Sequence, residues 1–459
     1  MKSNSPNSFM KKMASALFGF FCGTMALQAQ INKTAPNIIV ILTDDQGYHD
    51  VSYYGTKDIR TPHIDALCHD GMRFDYFYAN SPVCSPTRAS LMSGRYPDFV
   101  GVPGLIRSTA DNNWGYLQPG TILLPQKLKQ AGYHTALIGK WNLGLESPNL
   151  PNEKGFDLFH GWLEDMMDDY WTHLRHGKNF MRLNNTPIEP VGHATELFTN
   201  WSINYIQEQA LSKKPFFLYL AYNAPHFPVS PPEEWLARVK KREPTISDKR
   251  AKLVAFIEHM DDNIRQVVAA LKATSQYENT VIIFTSDNGG HLPDEANNGL
   301  LRDGKQSMYE GGLRVPAIIS WPKVIKAGTV SKQINLSMDI YPTLLDIAQV
   351  PITHTIEGRS FLSTLQGKEN ESAPARVLYF TRREGGMEYG GKAYHAIRQG
   401  DWKLIQNNPY KPLELYNLSI DPQEKNNVIK QEPKIAQQLN KFLLQHIQES
   451  GKVPWQNSK

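Results

Sequence analysis

Cysteine is nearly absent from these 459 residues: there are three, Cys22, Cys68 and Cys84. That is too few for the disulfide framework of a small secreted domain. Charge of one sign is also lacking. Lys and Arg number 49 against 45 Asp and Glu, for a net charge of +4, and without Lys2, Lys11 and Lys12 at the start it falls to +1. A global polyanion-binding surface is excluded, and with it nucleic acid as a partner. No apolar run long enough for a membrane span occurs after the first thirty or so residues, and there is no internal repeat or long low-complexity tract. What remains is ordinary globular material, 41% hydrophobic and 20% charged with 32 Gly and 30 Pro, enough for a sizeable core in one large α/β domain with a smaller companion.

Residues 1–29 read as a signal peptide. Lys11 and Lys12 precede the apolar run Ala14 to Leu27, and Ala29 offers a small residue for cleavage. Bulky Phe20 and Phe21 stand before Cys22 where a lipoprotein signal needs small residues, so release is expected over lipidation. The expected product is an exported soluble protein, periplasmic or secreted.

Apolar, β-branched runs bounded by turn residues predict strands at Asn37 to Leu42, Thr135 to Ile138, Phe216 to Ala221, Thr280 to Thr285 and Ala317 to Trp321, each of the buried parallel kind. Helical patterns fall between them at Ile122 to Gln130, Thr195 to Ala210 and Asp248 to Ala273. In the last, Val254, Ile257, Met260, Ile264, Val267 and Leu271 form one stripe. Strands alternating with helices predict an α/β fold, a mostly parallel sheet sandwiched by helices. The Pro- and charge-rich segment Pro228 to Pro244 reads as a surface loop. After Ala348, short strands at Arg376 to Phe380, Tyr394 to Arg398, Trp402 to Gln406 and Leu413 to Leu418 precede a helix around Pro433 to Gln448. They predict a smaller C-terminal α+β subdomain, an antiparallel sheet plus helix. The domains expected are therefore 36–349 and 350–459.

Two acidic pairs follow predicted strands directly: Asp44 and Asp45 after the first, Asp287 and Asn288 after the fourth. Either pair alone commonly marks a turn. Both together, at the carboxyl ends of strands in an open sheet, point to a divalent cation, since hard oxygen ligands suit Ca2+ or Mg2+ and not Zn2+. Cys68 sits in the helix-like stretch Ile64-Asp65-Ala66-Leu67-Cys68 and reads as packing. Cys84 has a different setting, Pro82-Val83-Cys84-Ser85-Pro86-Thr87-Arg88, running on to Ser93-Gly94-Arg95, with a helix expected to begin near Arg88.

This stretch resembles the formylglycine-dependent (type I) sulfatases of the alkaline-phosphatase superfamily, of the arylsulfatase and N-acetylgalactosamine-6-sulfatase kind, whose signature is Cys-x-Pro-x-Arg followed by a short helix ending near Gly-Arg. The resemblance continues in the family's order through Asp44-Asp45, Gly139-Lys140-Trp141, Ala224-Pro225-His226, Ser286-Asp287-Asn288-Gly289 and Gly304-Lys305 ahead of Tyr309-Glu310-Gly311-Gly312. It implies an alkaline-phosphatase-like fold, one Ca2+ held by Asp44, Asp45, residue 84, Asp287 and Asn288, and conversion of Cys84 by a maturation enzyme to formylglycine (3-oxoalanine). In the implied reaction one hydroxyl of the hydrated aldehyde attacks sulfur and the alcohol leaves. The second hydroxyl then drives C–O cleavage, which expels sulfate and restores the aldehyde. Arg88, Lys140, Lys305 and the cation would neutralise the sulfate oxygens, and His226 would protonate the leaving oxygen.

One position departs from the pattern. The family usually has Gly-Lys-Trp-His where this chain has Gly139-Lys140-Trp141-Asn142, and a neutral amide cannot take a proton. Three outcomes stand open: His226 serves both half-reactions, another histidine such as His291 enters the site, or turnover is slow or lost. The implied substrate is a sulfated mono- or oligosaccharide. The run Asp168 to His176, with His173 and His176, and the later pair Arg382 and Arg383, are candidate substrate contacts, with a solvated surface as the plain alternative. Competing functions are a phosphoester or phosphonate hydrolase on the same fold and a catalytically impaired sulfated-glycan-binding protein.

Overall fold

The computed structural model describes residues 35–109, 112–212, 214–368, 376–384 and 392–456. The expected signal peptide and Cys22 lie outside them. In chain order the elements that frame the site are β1 (Asn37–Thr43), α1 (Pro62–His69), β2 (Gly71–Phe74), α2 (Cys84–Ser93), α3 (Leu124–Gln130), β3 (His134–Lys140), β4 (Leu158–Trp162), β5 (Met181–Leu183) and β6 (Thr186–Pro187). They continue with α4 (Ala194–Ser212), β7 (Phe216–Ala221), α5 (Glu233–Arg242), α6 (Asp248–Ala273), β8 (Thr280–Ser286), β9 (Ala317–Ser320), β10 (Thr329–Ser331) and α7 (Ile340–Ile347).

A ten-stranded sheet takes the order β10-β2-β9-β8-β1-β7-β3-β4-β5-β6. Its centre, β8-β1-β7-β3-β4, is parallel throughout. Side chains alternate along these strands, and both faces are covered. Val40 and Leu42 of β1, with Tyr219 and Ile283, pack toward α3 and α7 through Leu128 and Leu344. Ile39 and Ile41, with Leu218 and Phe284, pack toward α4 and α6 through Phe198, Val254, Ile257 and Met260. All six stripe residues of α6 are buried, and Ser247 caps that helix by accepting from Arg250 N.

Two expectations change. The strand at Ala317–Ser320 is antiparallel to β8, because the thirty residues before it stay at the carboxyl end of the sheet and the chain re-enters from that end. The segment Pro228 to Pro244 contains helix α5. Glu233 and Glu234 in its first turn and Lys240, Lys241 and Arg242 in its last complement the helix dipole, so its charge marks a helix and not a loop.

The C-terminal strands β11 (Val377–Arg383), β12 (Ala393–Gln399), β13 (Trp402–Gln406) and β14 (Glu414–Asn417) form a separate antiparallel meander, followed by α8 (Pro433–Ser450). Ile397, Leu404 and Leu415 bury against Leu439 and Leu443 of that helix. Cys68 is a buried residue of α1, and burial pushes its thiol pKa up.

Candidate active site

Four adjacent strand ends deliver the site. β1 and β8 run side by side with Thr43 opposite Ser286, so Asp44-Asp45 and Asp287-Asn288 leave the sheet together. β7 lies on the other side of β1 and leads to His226, and β3 beyond it ends in Lys140. Ligands collect at this edge in open parallel sheets. Gly139 makes the last step possible: with φ at 109°, a Cβ there would sit 2.0 Å from the Ala221 carbonyl oxygen. Lys305 comes from the long connection after β8.

Cys84 is the first residue of α2, so the helix begins four residues before the position expected from sequence. Pro86 falls in its first turn, where a missing N–H costs nothing, which is why the Pro does not delay the helix. Val83 at the cap makes no side-chain cap bond. Cys84 Sγ lies 3.3 Å from Asp44 Oδ1.

Arg88 stands one turn further along. Its Nε and Nη2 donate to Asp287 Oδ2 at 3.0 and 2.7 Å, Nη2 is 3.3 Å from Asp44 Oδ2, and Nη1 donates to the Lys140 carbonyl. Lys140 Nζ reaches Asp44 Oδ2 at 2.6 Å. Lys305 Nζ is 2.7 Å from Asp45 Oδ2 and 3.0 Å from His226 Nε2. The His226 Nδ1 lies 2.6 Å from the Phe227 carbonyl. An imidazole nitrogen facing a carbonyl oxygen must carry the proton, so neutral His226 presents a bare Nε2 to Lys305.

The whole group is dry: Asp44, Arg88, Lys140, Asp287 and Asn288 have no exposure. Burial resists ionisation of Asp44, but Lys140, His226, Arg88 and Lys305 outweigh it and hold that carboxyl well below its usual range. Burial, with Asp44 beside it, pushes Asp287 up to about 6 against the pull of Arg88 and Lys140. Burial also lowers the pKa of His226, and the Lys305 charge adds to it. The Cys84 thiol is raised well above its ordinary value by burial and by Asp287 and Asp44. A thiol kept protonated is a poor nucleophile.

Asp44, Asp45, Cys84 and His226 offer ligand atoms within 4.8 Å of one another. Asp287 Oδ1 accepts from Asp45 N, and Asn288 Nδ2 donates to Asp45 Oδ1 at 2.8 Å and to the Gly289 carbonyl. Asn288 Oδ1 is left buried with no hydrogen-bond partner. Crowded carboxylates beside an unsatisfied amide oxygen are the donor set of a hard cation, so the residues fit Ca2+.

The other expected residues have partners of their own. Arg382 of β11 is buried and its Nη1 donates to the carbonyl of Gln306, next to Lys305. The Arg383 guanidinium lies 5.5 Å from the Trp455 ring. His173 is buried with Nε2 at the Gly192 carbonyl, and exposed His176 donates its backbone N–H to Asp168. His291 Nδ1 pairs with Asp294 at 2.6 Å.

Sequence reasoning missed Ser85 and Ile106, which hydrogen-bond with Asn142, and Arg107, which joins Asp165 and Glu384 at 3.2 Å each. Ser85 lies inside the Cys-x-Pro-x-Arg motif, at a position the motif leaves open. The one signal for Arg107 was a charge inside an otherwise apolar Gly-Leu-Ile stretch.

Residues 36–350 match the sulfatase family. The chain belongs to the sulfatase family. This sulfatase also matches the C-terminal region of N-sulphoglucosamine sulphohydrolase over residues 302–450. It is 30% identical to arylsulfatase J of Mus musculus over 480 aligned residues, 92% of this chain and 78% of that protein. It is 32% identical to N-acetylgalactosamine-6-sulfatase of the same species, over 80% of this chain and 71% of that one. Among solved structures it resembles Ps i-CgsB in complex with k-i-k-neocarrahexaose, at a TM-score of 0.81 and 30% identity, over 90% of this chain and 92% of that chain. The sulfatase is a sulfuric ester hydrolase with an alkaline-phosphatase-like fold.

Proposed function

We propose that this sulfatase is exported and removes sulfate from a sulfated mono- or oligosaccharide, with residue 84 acting as formylglycine and one Ca2+ held by Asp44, Asp45, residue 84, Asp287 and Asn288. The observation that carries the reading is Cys84 at the head of α2, 3.3 Å from Asp44, beside fully buried Arg88 and Lys140, with Lys305 and His226 joined to Asp45 next to it. The oligosaccharide in the structure of Ps i-CgsB supports a carbohydrate substrate. Residues 36–349 form the catalytic unit in this reading and residues 350–459 a smaller C-terminal subdomain.

The oxidised residue supplies a hydroxyl nucleophile whose partner hydroxyl later expels sulfate, and the cation supplies positive charge to the ester oxygens. The chain's own residues do the rest. Three carboxylates and three cationic side chains cancel one another, so a bound divalent cation turns the site positive toward an anionic ester. Arg88, fixed by Asp287 and Asp44, and Lys140, fixed by Asp44, hold their charges in place before substrate arrives. Lys305 Nζ, 3.0 Å from His226 Nε2, would pass a proton to that nitrogen, and His226 would hand it on to the departing alkoxide.

The test is sulfate release from defined sulfated saccharides by protein co-expressed with a formylglycine-generating or radical maturation enzyme, with matched phenyl sulfate and phenyl phosphate as controls. Sulfate release well above phosphate release is expected. Faster phosphate release, or none of either with the aldehyde confirmed at residue 84, would overturn the reading.

A further inference from the structure

Asn142 lies two residues past the end of β3, directly after Trp141, in the left-handed region at φ 54°, a conformation Asn tolerates better than most side chains. It is 1% exposed, and its backbone N–H donates to the Leu163 carbonyl at 3.1 Å. Both ends of its amide are engaged: Oδ1 accepts from Ser85 Oγ at 2.8 Å, and Nδ2 donates to the Ile106 carbonyl at 2.9 Å. The circuit closes because Ile106 N donates back to Ser85 Oγ at 3.0 Å. Ser85, Ile106 and Asn142 are all buried. Ile106 is thus pinned through both of its backbone groups, and the residue before it, Leu105, packs against Val83 and Cys84.

We propose that Asn142 is a positioning residue: through Ser85 and Ile106 it clamps Leu105 as an apolar cover over residue 84, and it takes no part in moving protons. The importance of that cover rests on residue 84 being the reacting group. Three features carry the assignment. The amide's oxygen is engaged by Ser85 and its nitrogen by Ile106, and a neutral amide takes up no proton from a substrate or nucleophile. The bonded partner, Ser85, is the immediate neighbour of residue 84 on the same helix. The circuit joins three chain segments, the head of α2, the 105–107 segment and the end of β3, that nothing in the sequence links. An imidazole at position 142 would have to adopt the same left-handed backbone and replace an amide that accepts and donates in one plane.

The experiment compares matured wild type with Asn142→Ala, Ser85→Ala, the double variant and Asn142→His, the aldehyde at residue 84 being quantified in each by peptide mass. Asn142→Ala and Ser85→Ala should each lower kcat about tenfold with KM little changed, and the double variant should fall no further than the worse single one, as members of one circuit do. The shape of the pH–rate profile should stay as in wild type, since no titrating group is removed. Asn142→His should also lose rate. Amide hydrogen exchange at residues 104–108 provides a readout without substrate: each single variant should exchange at least about tenfold faster there, and the double variant no faster than the singles. Full multiplication of the two single effects in exchange or in kcat would overturn the clamp. A faster steady state for Asn142→His, or a pH limb altered by Asn142→Ala, would overturn the exclusion from proton transfer. Wild type that carries the aldehyde and releases no sulfate would count against the proposed function instead, leaving the exchange comparison to judge the clamp.

Discussion

Replacing Glu424 by Gln should make this protein more stable at mildly alkaline pH. Lys403 Nζ lies 2.8 Å from Glu310 Oε1 and 2.9 Å from Glu424 Oε1, and all three side chains are buried. The one ammonium is shared by both carboxylates, and the two carboxyls titrate as a pair. For Glu310, burial is outweighed by Lys403, Arg398 and Arg314, which hold it down to about 2. For Glu424, burial and the Glu310 charge prevail over Lys403 and push it from 4.5 up to about 7. A carboxyl with a raised folded pKa favours the folded state fully below its unfolded value, and that stability is lost as pH rises through the folded one. The rise from 4.5 to about 7 corresponds to about 3 kcal/mol. Wild type should therefore lose up to about 3 kcal/mol between about pH 4.5 and 8, while Glu424→Gln, which keeps an acceptor for Glu310 N, should not. The variant should melt roughly 3 °C above wild type near pH 8. Scanning calorimetry of both proteins across this range reads the effect. Parallel pH curves, or a variant less stable than wild type near pH 8, would refute the reasoning.

Other outcomes follow from the same geometry. Gly139→Ala should cost about 3 kcal/mol or more in thermal or guanidinium unfolding, because its Cβ would lie 2.0 Å from the Ala221 oxygen at a φ of 109°. Arg88→Lys cannot keep the two bonds to Asp287 Oδ2 together with those to Asp44 and the Lys140 carbonyl, and kcat in matured protein should fall about 10²- to 10³-fold. Chelation should abolish sulfate release and lower the melting temperature, with Ca2+ restoring both better than Mg2+, since the set built around Asn288 Oδ1 is rich in oxygen.

Much of this architecture is legible in the sequence. The β1, β7 and β8 strands are continuous apolar runs because both faces of the sheet are covered, and such runs are hard to mistake. The acidic pairs were legible as a site because they stand immediately after β1 and β8, which proved to be neighbours. The direction of β9 was not legible, since an apolar tetrapeptide looks the same whichever way it runs. Nor was α5, whose prolines and charges masked a dipole-matched helix with Val239 as its buried residue. At the site, the motifs supplied Arg88, Lys140, His226 and Lys305, but not the partners that fix them. The Ser85–Asn142–Ile106 circuit depends on three segments meeting in space, and no local pattern encodes that. Likewise the contact of the His173 ring with the Gly192 carbonyl joins segments that no local pattern relates.

The measurement closest to the heart of the account is the chemical state of residue 84 set against activity. Across preparations made with graded amounts of maturation enzyme, specific sulfate release should rise in proportion to the aldehyde fraction found by peptide mass and extrapolate to none at zero aldehyde. Full activity in protein whose residue 84 is entirely unmodified thiol would contradict it.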